Sequence, residues 1–322
     1  MTEDRSGDVI VVGSGVIGLT TAVVLAESGR RVRIWTREPA ERTTSAVAGA
    51  LWWPYAIEPQ DLARTWALRS LSVYEELAER PDETGVRMVE GVMGGTLMDE
   101  HAPWATARLP GLRASTADEY AGPGLWARLP LIDMPVHLGW LRARFLRAGG
   151  VVEERTVTDL GEARARAGTV VNCTGIGARE LLGDTGVRPV RGQLVVVENP
   201  GLRTWLVSED AESGTTTYLF PQPGGLVLGG TTEADAWSLE PDPVVAADIV
   251  ARCAALRPEV AGARVLGHRV GLRPVRPAVR LERDASAGGG EQGVLVHNYG
   301  HGGAGVTVAW GCAEVVLGLV PR

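Results

Sequence analysis

The chain has 322 residues, 45% hydrophobic and 22% charged, and carries a net charge of −7. That length exceeds what one core usually supports, so an ordinary globular protein of two domains is expected. The acidic balance excludes a general affinity for nucleic acid or anionic membrane surfaces.

All 32 basic residues are arginines, so no lysine is present to form a Schiff base or complete a phosphate-binding loop. His101, His137, His268, His297 and His301 are read as scattered, and no metal site is expected from them. Cys173, Cys253 and Cys312 lie in apolar sequence, which reads as buried thiols in a reducing cytoplasm. Val9 to Ala26 is uncharged for 18 residues, a length at which a membrane span is suspected. The preceding "MTEDRSGD" is acidic, a poor signal-peptide start, and the run carries specially spaced glycines, so no membrane partner is expected.

In chain order, "DVIVVGSGVIGLTTAVVLAESGRRVRIWTRE" predicts a strand (Val9 to Val12), a helix (about Val16 to Glu27) closed by Gly29, and a second strand (Val32 to Trp35). Gly13, Gly15 and Gly18 form GxGxxG: a tight turn, close approach of backbone to a pyrophosphate, and close helix–strand packing. The helix N-terminus faces the phosphates. Glu38 follows Gly18 by 20 residues, where an acid holds ribose hydroxyls, and Arg37 precedes it. On this motif alone the nucleotide is NAD or FAD. "ERTTSAVAGALWWPY" is a small-residue loop with the hydroxyls of Thr43, Thr44 and Ser45 leading into Gly49, suited to running along a flat ring or diphosphate. In "GTVVNCTGIGARE" a strand (Thr169 to Asn172) opens into Cys173, Thr174 and Gly175 at a carboxyl-terminal edge, the place for a ligand or for a simple turn.

Further on, "LVVVE", "TTYLFP" and "GLVLGGT" read as strands, "AADIVARCAALRPEV" as a helix stopped before Pro258, and "ASAGGGEQG" as a flexible loop tip. In "VGLRPVRPAVRLER" the prolines exclude a helix and force extended geometry on Arg273 and Arg276. Alternation then puts Arg273 on one face with Val275, Pro277 and Val279, and Arg276 on the other with Ala278 and Arg280. Apolar flanks suggest a buried Arg273 guanidinium, which needs a partner: an internal carboxylate or a ligand carboxylate held bidentately. Periodicity leaves both open. "VLVHNYGHGGAGVTVAWGCAEVV" starts as a strand (Val294 to Val296), turns through Gly300, Gly302 and Gly303, and becomes a helix from about Gly305. The closing "LVPR" matches a protease-recognition sequence, so Leu319 to Arg322 carry no weight here.

With "VVGSGVIGLTTA", "TTSAVAGALWWPY", "NCTG", "RGQ" (Arg191 to Gln193), "GLRPVRPAVRLER" and "HNYGHGGAGVTVAWGCA" in hand, the chain resembles, over nearly its full length, the D-amino-acid oxidase family of glutathione-reductase-like flavoproteins. The resemblance implies an α/β fold with a discontinuous Rossmann-like FAD-binding domain (about 1–53, 140–190 and 270–322). A β-sheet-based substrate domain would comprise about 54–139 and 191–269.

It implies non-covalent FAD bound by Gly13, Ser14, Gly15, Val16, Ile17, Gly18, Arg37, Glu38, Thr43, Thr44, Ser45, Gly49, Ala50, Leu51, Val157, Cys173, Thr174 and Gly175. Arg273, His301, Gly302, Gly303, Ala304, Gly305, Val306 and Thr307 complete that set. It also implies that Arg273 clamps a substrate α-carboxylate, Tyr218 hydrogen-bonds the same carboxylate, and the Gly303 carbonyl accepts from the α-amino group. Trp53 and Tyr55 would line the pocket. No general base is then needed, because the cofactor takes a hydride from Cα. The partners would be a D-amino acid and oxygen, with a homodimer as the assembly it admits.

Two departures stand out. "SEDAESGTTTY" lacks the second tyrosine of better-known relatives, so the lid is expected to be shorter or differently built. Trp53 replaces a smaller polar residue and either narrows the pocket or packs in the core. No arginine lies in the lid from Ser208 to Tyr218, which favours neutral or apolar side chains over the substrate of a D-aspartate oxidase. The rivals are a glycine or sarcosine oxidase on the same scaffold, an NAD-dependent dehydrogenase and, least compatible with the charge, an RNA-binding module.

Overall fold

The computed structural model describes residues 8–96, 107–109, 111–210, 214–285 and 293–321. The expected loop tip "ASAGGGEQG" and the middle of the lid lie largely outside these residues.

In chain order the strands are β1 (Asp8–Val12), β2 (Arg31–Thr36), β3 (Val86–Gly94), β4 (Arg113–Ala114), β5 (Gly124–Ile132), β6 (Val151–Glu154) and β7 (Thr169–Asn172). They continue as β8 (Arg188–Val197), β9 (Trp205–Glu209), β10 (Thr216–Gln222), β11 (Gly225–Gly229), β12 (Glu233–Ala234), β13 (Val265–Arg283) and β14 (Val294–His301). The helices are α1 (Val16–Glu27), α2 (Gln60–Leu77), α3 (Pro81–Thr84), α4 (Met134–Arg147), α5 (Leu160–Arg164), α6 (Ala178–Leu182), α7 (Pro243–Leu256) and α8 (Gly305–Leu319).

All strands join one continuous sheet in the order β4-β5-β3-β9-β10-β11-β8-β13-β14-β7-β1-β2-β6, with β12 pairing β8. From β14 to β6 every pairing is parallel, the signature of a nucleotide-binding half. From β4 to β13 the pairings are antiparallel apart from β3 with β9. Strand β13 spans the seam, pairing β8 up to Val275 and β14 from Val275 onward. The expected joins near 140 and 270 therefore fall inside α4 and β13, because each element packs continuously along its length.

Helix α1 is buried almost all round, as its unbroken apolar sequence requires, and packs against α8 and α4. Helix α8 is wedged in turn against α2, where the backbone of Trp66 meets Gly311. A separate core of Val195, Leu206, Leu219, Leu228, Ile249 and Cys253 lies between the antiparallel half and α7. Asp242 caps α7 by accepting from Val244 N and Val245 N, with Pro243 at the first helical position.

The alternation expected for Arg273 through Val279 breaks, because the β13–β14 register shifts between Val275 and Arg280. Arg276 and Arg280 still meet at one cluster: Arg276 Nε donates to Asp184 (3.0 Å), Tyr299 Oη donates to the same carboxylate (2.7 Å), and Arg280 Nη1 donates to Tyr299 Oη (3.1 Å). His297 and His301 are four residues apart on extended β14, yet no cluster of ligating side chains could hold a metal among the described residues.

Candidate active site

The carboxyl ends of β1, β7 and β14 share one edge of the parallel half, where open α/β sheets bind ligands. Gly13 follows β1 with φ +110°, and a Cβ there would meet Cys173 O at 2.5 Å. A Cβ on Gly18 would overlap Gly13 O, so the turn tolerates no side chain at either point. The Gly15 position faces Ser45 Oγ at 3.1 Å and Thr43 Oγ1 at 4.0 Å, which lays the hydroxyl loop over the glycine turn. Ser45 Oγ accepts from Val16 N (3.0 Å) at the start of α1. Ser14 Oγ donates to Glu38 O (3.0 Å), tying the end of β2 to the same turn. The Glu38 carboxylate and Arg37 pair with each other (2.8 Å).

Thr174 binds Asn172 Oδ1 through both its backbone N–H and its hydroxyl, while Gly175 lies 3.8 Å from Pro274 by the same Cβ measure. Burial pushes the Cys173 thiol up to about 12, so it packs rather than reacts. Val157 packs against the core cluster that contains Trp35, and Ala50 and Leu51 fasten the loop to β5 through Ile132 N→Ala50 O (3.0 Å) and the bridge of Leu51 with Leu131.

The N-terminus of α8 is a second anion-seeking end beside the first. Ala304 provides no side-chain cap, the first turn holds no acid, and Gly305 lies 3.9 Å from Ile17 by the Cβ measure. His301 is buried with Nε2 unpartnered among the described residues, and burial holds its pKa at about 3. Two helix N-termini, a glycine cradle and an orphaned buried ring nitrogen on one edge fit a flavin dinucleotide.

Arg273 stands on β13 at the seam. Its Nη1 donates to Thr231 O (2.9 Å), its charge acts on the Tyr218 hydroxyl, and its Cδ lies 3.4 Å from the Gly303 Cβ position. Among the described residues no carboxylate pairs with it. It is half-buried rather than buried.

Tyr218 stands on β10, three strands away across β11 and β8, or about 14 Å at ordinary strand spacing. The two side chains meet by lying flat across the sheet, and the strands beneath them carry glycine for that reason. A Cβ on Gly192 would reach Arg273 Nη2 at 2.5 Å, and one on Gly229 would overlap the Tyr218 ring. Tyr218 also stacks on Phe220 (4.6 Å between centroids), and both rings border Gly49. The cofactor loop touches the clamp strand directly, through Thr44 Oγ1→Leu272 O (3.2 Å).

The Trp53 backbone is held at both ends by Thr307 Oγ1, which accepts from Trp53 N (3.3 Å) and donates to Trp53 O (3.0 Å). Its ring packs partly into the core. Tyr55 is 54% exposed. Sequence reasoning missed Gly192, Gly229 and Thr231. The only trace of the first was the "RGQ" string.

The chain matches the sequence model of FAD dependent oxidoreductases over residues 8–319. It is 72% identical over 314 residues to a D-amino-acid oxidase of Streptomyces coelicolor, covering 98% of this chain and 97% of that one. It is 46% identical to a D-amino-acid oxidase of Rubrobacter xylanophilus, covering 96% and 94%. The fold is similar to the crystal structure of glycine oxidase from Geobacillus kaustophilus, with TM-score 0.81, 21% identity, and 97% and 94% of the two chains covered. The chain therefore belongs to the D-amino-acid oxidase family of FAD-dependent oxidoreductases.

Proposed function

We propose that the protein oxidatively deaminates D-amino acids with neutral or apolar side chains, giving the 2-oxo acid, ammonia and, with oxygen as acceptor, hydrogen peroxide. The observation that carries this reading is the half-buried Arg273 guanidinium, without an internal carboxylate among the described residues, beside Tyr218 and Gly303. A charge so placed is matched by a ligand carboxylate.

FAD, when bound, supplies the two-electron acceptor for the hydride from Cα. Arg273 grips the carboxylate through its planar fork, and Tyr218 donates its O–H to the same group. The Gly303 carbonyl accepts from the amino group, so three contacts orient the Cα–H bond. The α8 amides and dipole favour negative charge at their N-terminal end.

Acidic side chains are disfavoured, because the segment Ser208 to Tyr218 carries Glu209, Asp210 and Glu212 and no arginine. Arg252, under the same strand, is committed to Thr217 Oγ1 (2.7 Å), Gly230 O (3.0 Å) and Asp248 (2.8 Å).

The discontinuous division into flavin and substrate domains belongs to this proposal, with β13 shared between them. A cytoplasmic location is supported by three buried free cysteines, and among the described residues no helix is long and apolar enough to cross a membrane. A homodimer rests on the family resemblance alone.

Anaerobic mixing with D-alanine should bleach the flavin absorbance, whereas L-alanine should leave it unchanged. Bleaching by L-alanine or by sarcosine in preference to D-alanine would overturn the reading.

A further inference from the structure

The "RGQ" motif has no part in the chemistry above, yet it is bonded at nearly every polar atom. Arg191 is 3% exposed, and its guanidinium donates to Ser238 O (2.9 Å), Glu233 Oε1 (2.6 Å), Gln193 Oε1 (2.9 Å) and Glu240 O (2.7 Å). Gln193 holds the same segment from its other end, donating Nε2 to Asp242 O (2.7 Å) and accepting at Oε1 from Asp242 N (2.9 Å). Strand β12 pairs Glu233 with Arg191, so residues 231–242 are fastened along one side of β8.

The first residue of that segment is the one that touches the clamp. Thr231 Oγ1 accepts from Gln193 N (2.9 Å), and Thr231 O accepts from Arg273 Nη1 (2.9 Å). Alternation along β8 puts Arg191 and Gln193 on the face opposite Gly192, which supports the Arg273 guanidinium from below. Arg273 is thus held by a floor that belongs to this tripeptide and by a side wall, the Thr231 carbonyl, tied to the tripeptide through Gln193 N. Burying a guanidinium for stability alone is a poor exchange against an apolar residue. Here its fork does what no apolar side chain could, gathering three carbonyl or carboxylate groups of one loop at fixed angles.

We propose that Arg191 is a positioning residue for the reaction: through residues 231–242 and the Thr231 carbonyl, it sets the orientation in which Arg273 grips the substrate carboxylate. The inference rests on the clamp reading of Arg273 and adds the device that aims it.

The test is the ratio of kcat/KM for D-alanine to that for D-alaninamide, measured on FAD-loaded enzyme. The amide lacks the carboxylate, so this ratio reads the grip and is insensitive to loss of folded protein. Arg191→Met should lower the ratio about tenfold, within what a displacement of 1 Å costs in a catalytic array. Arg191→Lys should not restore it, since an ammonium cannot span the fork. Thr231→Val removes only the Gln193 tie and should lower the ratio about threefold, a modest misplacement on the same scale. It decides the matter should Arg191→Met fail to fold. Arg273→Ala run alongside should collapse the ratio. A collapse there with wild-type ratios in both Arg191→Met and Thr231→Val overturns the positioning role and leaves the clamp standing. An unchanged ratio in Arg273→Ala removes the clamp, and the positioning role with it.

Discussion

The Arg273 guanidinium, from β13, lies within electrostatic reach of the Tyr218 hydroxyl, from β10. Arginine has only donors, so a phenol oxygen beside it can accept and still offer its own proton to a third group. Burial pushes the Tyr218 pKa up, and Arg273 offsets only part of that rise, so the proton stays on oxygen throughout the neutral range. On the proposed function, this pair receives the substrate carboxylate.

Arg273→Ala should therefore cost about 2–5 kcal/mol in kcat/KM for amino-acid substrates, as when one member of a desolvated charge pair is removed. Tyr218→Phe should cost roughly 1.5–3 kcal/mol, the worth of one hydrogen bond to a charged group. Steady-state kinetics of the two variants checks the order, and a Tyr218→Phe loss exceeding that of Arg273→Ala contradicts it.

Gly192→Ala and Gly229→Ala should each reduce kcat/KM about 10–100-fold while flavin content is kept, because a displaced clamp misaligns the substrate. The methyl groups would occupy space held by the Arg273 guanidinium and the Tyr218 ring. Absorbance spectra establish cofactor content, and kinetics measures the loss.

Gly18→Ala should do the opposite, emptying the cofactor site. Its methyl would overlap Gly13 O in a turn already against Cys173 O. The purified variant should be colourless, and it should miss the stabilisation of about 2.7 kcal/mol that a ligand at 100 times its Kd confers. Thermal melts with and without added FAD test this.

His137 makes stability depend on pH. Burial against Tyr74 and Trp140 lowers its pKa from the ordinary 6.5 to about 4, with the Thr84 carbonyl pulling the other way and Arg144 adding to the fall. The unfolded chain then binds the proton more readily below pH 6.5. Stability from the neutral ring is complete above that pH and is lost as pH drops towards 4, by on the order of 3 kcal/mol. Denaturant titrations from pH 7 to pH 4.5 should show the decline, and His137→Phe should flatten it. His301, lowered to about 3, keeps the remaining slope.

Asp184→Ala should cost about 2–3 kcal/mol of stability, because hydrogen bonds from Tyr299 and Arg276 to a charged acceptor are lost. Burial pushes this carboxyl up, yet those bonds more than offset the rise and hold its pKa below the ordinary value. Loss of stability without loss of bound flavin is the expected result.

Much of the nucleotide half was legible as sequence because its signals are local. Three glycines within six residues and an uninterrupted apolar helix act over one or two turns, so their geometry follows from residue type. The prolines beside Arg273 and Arg276 likewise announced an extended strand, which β13 is. Its facing was not legible. A register shift between Val275 and Arg280 resets the alternation, and such a shift depends on what β14 offers opposite.

The meeting of Arg273 with Tyr218 lay wholly beyond local reading. It requires β10, β11, β8 and β13 to lie side by side, with Gly229 and Gly192 in the strands between. A glycine in a strand has many local explanations, and only the side chain crossing above it supplies the cause. The sequence by itself determined the cofactor cradle, the helix termini that face it and the rigidity of the arginine strand, since each is set by backbone chemistry over a few residues. Tertiary structure alone decided that Arg273 has no internal carboxylate among the described residues and what holds it in place, because charge pairing and close approach are made between segments far apart in the chain.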